Sequence, residues 1–145
     1  MSVNPNYTEI NIAAQQPNPK SILNYWKHLI RLRKEDKPTW IHGAFDLFNA
    51  EDEHTIVYGK VDHSEGSGSE SGTGPGTGTG TDKRGILVAL NFSTEERSWG
   101  IPEGWELGDV VVGNLDEASS KGWLKPWEAV VYAVGIRGWD SDGKI

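Results

Sequence analysis

The stretch Gly85-Ile86-Leu87-Val88-Ala89-Leu90-Asn91-Phe92 (GILVALNF) decides the fold class of this 145-residue chain. It is a short, almost continuous apolar run without the alternation of a half-exposed strand. Such a run is typical of a strand that is covered on both faces. The stretch EAVVYAV at 128–134 has the same character. We therefore predict that these two segments are the most buried strands of a β-sheet.

Four further segments have strand-like composition, with β-branched and aromatic residues bounded by Gly, Pro, Asn and Asp. They are AFDLF (44–48), TIVYGKV (55–61), ERSWGI (96–101) and GDVVVGNL (108–115). Six short strands with turn signals and no helix between them favour an antiparallel β-sandwich.

One helix precedes the strands. The segment KSILNYWKHLIRLRKE places apolar residues on one stripe at helical spacing, namely Ile22, Tyr25, Trp26, Leu29 and Leu32. Asn18 and Pro19 predict the N-cap and the first helical position. Pro38 predicts the end.

The segment at 64–82 interrupts the strand region and consists almost entirely of Gly, Ser, Thr and Glu. It has no apolar residue to bury, so it cannot offset its ordering entropy and is predicted to be a flexible insert. We predict three parts: 1–37 with the helix, 38–137 with the sandwich and the insert, and a tail at 138–145.

Composition excludes several classes of function. The net charge is −7, which argues against nucleic-acid binding because phosphates require clustered Lys and Arg. The absence of cysteine excludes disulfides, thiolate zinc sites and a cysteine nucleophile. No apolar run approaches the roughly 18 residues of a membrane span, and no secretory signal is seen. We expect a cytoplasmic protein with no membrane partner.

No motif for catalysis or cofactor binding is found in the sequence. The glycines of the insert do not have phosphate-loop spacing, and the four histidines lack metal-ligand spacing. The carboxylates cluster in predicted turns, whereas a glycosidase needs two carboxylates that face each other across a cleft. No catalytic, metal or cofactor-binding residue is therefore assigned, and no cofactor is expected.

The chain has seven tryptophans, which is many for its length. A core or domain-interface role is the more common one, but a flat aromatic face can also stack on a sugar or a partner. We take Trp105, Trp123 and Trp139 as candidate sugar or interface contacts, since Trp105 and Trp123 lie in predicted loops.

Several motifs together resemble the C-terminal part of α-glucosidases of glycoside hydrolase family 13, in particular the fungal maltase and isomaltase branch. They occur in the order of that family, from residue 3 to 134: VNPNYTEINIAAQQ (3–16), PNPKSILNYWKHLIRLRKE (17–35), HGAFDLFNAEDEHTIVYGKV (42–61), ILVALNFS (86–93), VVVGNLDE (110–117) and LKPWEAVVYAV (124–134). The long polar insert departs from the pattern.

The resemblance implies a mainly β fold: an antiparallel Greek-key sandwich, preceded by the last loop and last helix of a (β/α)8 barrel. The catalytic Asp, Glu and second Asp of that family lie in the part of the barrel that this chain lacks. The chain is therefore expected to be inactive alone, although the parent family is a retaining hydrolase of maltose- and isomaltose-type oligosaccharides.

Three hypotheses follow. The first is a non-catalytic α-glucosidase fragment whose sandwich braces the enzyme's own barrel; the helix stripe would then lie exposed or rearranged in the isolated chain. The second is a free-standing module that binds α-glucan oligosaccharides through its tryptophans. The third is a docking module for a homologous α-glucosidase.

Overall fold

A computed structural model of the chain describes residues 4–62 and 83–136. The chain separates into two compact units, Met1–Lys37 and Pro38–Ile145. The predicted flexible insert at 64–82 and the predicted tail at 138–145 lie outside the described residues. Within the described ranges, no helix is long and apolar enough to cross a membrane.

The first unit is helical. A 3-10 helix at Pro5–Thr8 and a short helix α1 (Ile12–Gln15) precede the long helix α2 (Ile22–Glu35). The predicted N-cap at Asn18 is wrong, because Ser21 caps the helix and its hydroxyl accepts the backbone N–H of Asn24 at 3.3 Å. Asn18 instead closes the preceding turn, where its side chain accepts the N–H of Lys20.

The second unit begins with a π-helical turn at Pro38–His42 and continues as strands. Five antiparallel strands form one sheet in the order β1-β2-β3-β7-β5. Their bounds are β1 Ala44–Leu47, β2 Thr55–Val61, β3 Lys83–Asn91, β5 Trp105–Gly113 and β7 Ala129–Ile136. A second, two-stranded antiparallel sheet pairs β4 (Arg97–Ser98) with β6 (Trp123–Leu124). The predicted antiparallel sandwich is confirmed, although β6 was not predicted.

The strand β3 lies at the centre of the larger sheet, between β2 and β7. Five of its consecutive residues, 85–89, are buried, so both faces of the strand are covered as the apolar run predicted. The stretch 128–134 is less evenly buried, since Ala129 is half-buried and Ala133 is exposed while the other five residues are buried.

The core lies between the two sheets. Leu124 of β6 and Trp99, which follows β4, join buried residues of the larger sheet in one cluster. The other members are Val57, Val61, Leu87, Ala89, Trp105, Val130, Tyr132, Val134 and Ile136. The small sheet therefore covers the core face of the large one.

Candidate functional site

The three candidate tryptophans have different environments. Trp105 begins β5 and is a core residue with 5% of its surface exposed. Its ring meets Phe48 edge to face, with the centroids 5.0 Å apart, and covers Gly59. Trp123 begins β6 and is 52% exposed. Trp139 lies outside the described residues, so of the three only Trp123 is seen to offer an open ring.

Trp123 borders an open cleft of about 290 Å³, which we call the Trp123 cleft. Its lining is mostly polar and comes from the residue before β4, the loop between β5 and β6, β6 itself and the residue after β6: Glu96, Ala118, Ser119, Ser120, Trp123, Leu124 and Lys125. The cleft thus places an aromatic face, which can stack on a ligand, beside side chains that can form hydrogen bonds.

The backbone holds Trp123 firmly. Trp123 pairs with Ser98 in the small sheet, and its backbone N–H donates to the carbonyl of Ser120 at 2.9 Å. The preceding Gly122 has a φ of 87°, a conformation that glycine adopts without strain. The carbonyl of Gly122 accepts the N–H of Trp99 at 2.9 Å. The exposed ring thus projects from a fixed strand rather than from a loose loop.

A buried carboxylate lies beneath the cleft. Glu128 is only 1% exposed and accepts three hydrogen bonds, which we call the Glu128 network. The donors are the N–H of Ser119 at 2.8 Å, the hydroxyl of Ser119 at 2.5 Å and the N–H of Lys125 at 2.7 Å. Burial, and after it the charge of Glu128, raises the pKa of Tyr132. The network connects Ser119 of the β5–β6 loop and Lys125, which follows β6, to Glu128, the residue before β7.

A second buried polar residue, Asn91 at the end of β3, forms hydrogen bonds to the segments on either side of the small sheet. It is 3% exposed, and its amide donates to the carbonyls of Glu95 at 2.8 Å and Lys125 at 2.9 Å. Its oxygen accepts the N–H of Ser93 at 2.9 Å. Sequence reasoning missed both Glu128 and Asn91 as organising residues; a single polar residue at the end of a buried strand was the available signal.

Trp127 has an unusual backbone. Its φ is 59°, the left-handed region that costs a residue with a large side chain about 1–2 kcal/mol. Two hydrogen bonds hold it there: its N–H donates to the carbonyl of Ser93 at 3.3 Å, and its carbonyl accepts the Asn114 amide at 2.8 Å. The ring is 56% exposed.

A larger hollow of about 570 Å³ lies elsewhere, but six consecutive residues of the β1–β2 loop, Phe48 to Glu53, form all of its lining. Asp52 in this loop accepts the N–H groups of His54 at 2.7 Å and Thr55 at 3.0 Å. These backbone hydrogen bonds close the turn through the carboxylate of Asp52, and they also lower its pKa. In the part of the chain that the structure describes, no group of three or more His, Asp or Glu has the arrangement of a metal site.

The first unit exposes apolar residues along one row of α2, at i, i+4 and i+8. Ile22, Trp26 and Ile30 are 72%, 59% and 47% exposed, and we call them the helix row. Leu29 of the predicted stripe is half-buried, and no residue of α2 is fully buried. A row of this kind is a surface that another element normally covers.

The fold and the order of its elements are those of the C-terminal part of glycoside hydrolase family 13 enzymes. The trehalulose synthase MutB from Pseudomonas mesoacidophila MX-45 matches with a TM-score of 0.69 and 27% identity, over 92% of this chain and 21% of that one. A trehalose-6-phosphate hydrolase of Bacillus licheniformis matches with a TM-score of 0.68 and 25% identity. No protein-family model matches.

Curated relatives agree with this class. The chain is 29% identical over 140 residues to an oligo-1,6-glucosidase of Parageobacillus thermoglucosidasius and 29% identical over 136 residues to an alpha-glucosidase of Candida albicans. Each alignment covers 92% of this chain but only 21% and 20% of the relative. The predicted resemblance to the α-glucosidases is confirmed, and the chain spans about a fifth of their length.

Proposed function

We propose that this chain serves as the non-catalytic C-terminal part of an α-glucosidase, in which its β-sandwich braces a (β/α)8 barrel. The intact enzyme would hydrolyse α-glucosidic bonds in maltose- and isomaltose-type oligosaccharides. The supporting observation is that the alignments run through both units, helix and sandwich, while they cover only a fifth of the relatives. Catalytic carboxylates would then belong to the barrel and not to this chain.

The helix row of the first unit is the physical reason to expect that this chain packs against the rest of a barrel. Three large apolar side chains on one line of a helix expose surface that burial would stabilise by about 25 cal/mol per Å². In an intact enzyme, the neighbouring part of the barrel would cover this row. The same side chains contribute little to the isolated chain, because they have few neighbours there.

The test compares one substitution in two settings. A chimera joins this chain to the oligo-1,6-glucosidase of Parageobacillus thermoglucosidasius in place of that enzyme's own last fifth. Trp26→Ser is introduced into the chimera and into the isolated chain, with Lys27→Ser as the control on the same helix. We expect Trp26→Ser to lower the thermal midpoint and the α-glucosidase activity of the chimera, and to leave the midpoint of the isolated chain within about 1 °C. An inactive chimera, or equal effects of Trp26→Ser in both settings, would reject the proposal that this chain packs against a barrel as the C-terminal part of an α-glucosidase.

A second candidate is a module that docks on a homologous α-glucosidase through the helix row. The exposure of Ile22 and Trp26 favours it over a module with a fully polar surface. Co-purification of the isolated chain with a full-length α-glucosidase, abolished by Trp26→Ser, would support docking. Failure of the wild-type chain to bind would remove it. The remaining hypothesis, a module that binds α-glucan oligosaccharides, requires an exposed aromatic ring, and Trp123 is the candidate tryptophan that the structure shows to be exposed.

A further inference from the structure

We propose that the Trp123 cleft binds one end of a neutral α-gluco-oligosaccharide, with a glucose ring stacked on Trp123. The inference rests on the α-glucan-binding alternative of the proposed function and not on the bracing role. It assigns a site and a ligand class to one exposed region of the second unit.

The first support is an exposed aromatic ring on a strand whose backbone is held in place. Trp123 is held by strand pairing and by its hydrogen bond to Ser120, yet its side chain is 52% exposed. An α-linked glucose in its chair form has one face of axial C–H groups that is free of the axial anomeric oxygen, and this face can pack on an indole ring. Because the backbone that carries the ring is already held in place, it loses little conformational entropy on binding, so more of the contact energy remains as affinity.

The second support is the set of polar groups left available around the ring. Ser120 and the Glu96 carboxylate make no side-chain hydrogen bond to any residue that the structure describes. The ammonium of Lys125 donates to the carbonyl of Glu117 at 3.1 Å and has two further protons to give. Sugar hydroxyls both donate and accept, so a diol matches a cleft that contains a carboxylate, a hydroxyl and an ammonium group.

The third support is the charge balance of the lining. Glu96 and Lys125 are the two charged residues of the cleft, and their formal charges cancel. A phosphorylated or carboxylated ligand would need an excess of positive charge, whereas a neutral sugar does not. The Glu128 network lies beneath these residues and keeps Ser119 and the backbone of Lys125 in place.

Titration of the full chain with maltotriose and with isomaltotriose tests the site, followed by the indole N–H signals in a heteronuclear NMR spectrum. Cellotriose, whose β-linked rings also have flat C–H faces, shows whether the cleft distinguishes the linkage, and tighter binding of cellotriose than of both α-linked trisaccharides would overturn the assignment of an α-linked ligand. We expect one indole signal to shift with millimolar affinity for an α-linked trisaccharide. Trp123→Ala should raise the dissociation constant about tenfold or more, because it removes the stacking surface. Trp123→Tyr retains a flat ring and should keep most of the affinity.

Trp26→Ala is the matched control, since Trp26 is 59% exposed in the other unit. It should leave the affinity unchanged. Urea unfolding of each variant shows that the fold is intact before binding is compared. Absence of any shift in the wild-type chain at tens of millimolar trisaccharide, or equal affinity in Trp123→Ala, would overturn the inference. These readouts are separate from the stability of the chimera, so either proposal can fail while the other stands.

Discussion

Replacing Glu128 by glutamine keeps the shape of the side chain but changes one carboxylate oxygen into an NH2 group. In the folded chain, one oxygen of Glu128 accepts the N–H of Ser119, and the other accepts the Ser119 hydroxyl and the N–H of Lys125. All three partners donate. Whichever way the glutamine amide turns, its NH2 group faces at least one donor.

The cost can be worked out bond by bond. In one orientation of the amide, the half-buried backbone N–H of Ser119 loses its acceptor, which costs about 1–3 kcal/mol. In the other orientation, the N–H of Lys125 loses the Glu128 oxygen but keeps the Ser119 hydroxyl as an acceptor at 3.1 Å. The remaining bonds change from charge-assisted to neutral, which removes about 1 kcal/mol from each. A neutral amide is cheaper to bury than a carboxylate, which offsets part of this loss. We expect Glu128→Gln to lower the free energy of unfolding by about 2 kcal/mol and the thermal midpoint by about 4–8 °C.

Urea unfolding of the full chain, followed by tryptophan fluorescence, measures this change. Glu117→Gln in the same loop is the control, because Glu117 is exposed and its side chain should contribute within about 0.5 kcal/mol. A double-mutant cycle with Ser119→Ala isolates the coupling between the two residues.

A Glu128→Gln variant as stable as the wild type, or more stable, would refute the reasoning. It would mean that the desolvation of the carboxylate outweighs its three hydrogen bonds. A coupling energy near zero with Ser119→Ala would contradict the network in a different way, since the two residues would then act independently.

Three further predictions concern the packing and the backbone of the second unit. Gly59→Ala should lower the free energy of unfolding in urea by about 1–3 kcal/mol, because its Cβ would lie 2.7 Å from Cζ3 of Trp105 and closer still to Cη2. Gly100→Ala is the control and should not lower it in this way, because its Cβ would meet no atom of the described residues within 4 Å. In the same urea assay, Tyr132→Phe should be neutral or stabilising by up to about 1 kcal/mol, because the buried Tyr132 hydroxyl has no hydrogen-bond partner among the described residues. Burial raises the pKa of Tyr132 above 10.0, so its contribution to stability is present below pH 10 and is lost as the pH rises toward the folded-state pKa; the Phe variant should be less sensitive to alkali. Trp127→Gly should be more stable than Trp127→Ala by about 1 kcal/mol, because only glycine accepts a φ of 59° without strain; the opposite order would contradict the strain argument.

The sequence alone was sufficient for the elements with strong local patterns. The unbroken apolar run of β3 can be buried only where neighbours cover both faces, so its central position followed from composition. The apolar spacing of α2 likewise predicted a helix, although its cap was misplaced by three residues. Asn18 and Ser21 are both good caps, and the hydrogen bonds of the preceding turn selected Ser21.

Tertiary structure decided which tryptophan lies inside and which lies at the surface. Trp105 and Trp123 each follow a glycine of positive φ, and both were predicted to lie in loops. Trp105 pairs with Ile136 of β7 and turns with it into the core, whereas Trp123 pairs with Ser98 and turns outward while Leu124 turns inward. Side chains alternate along a strand, so the register of pairing decides which face each ring takes. The sequence therefore determined the fold and its buried strands, while long-range pairing alone decided that the Trp123 ring remains at the surface.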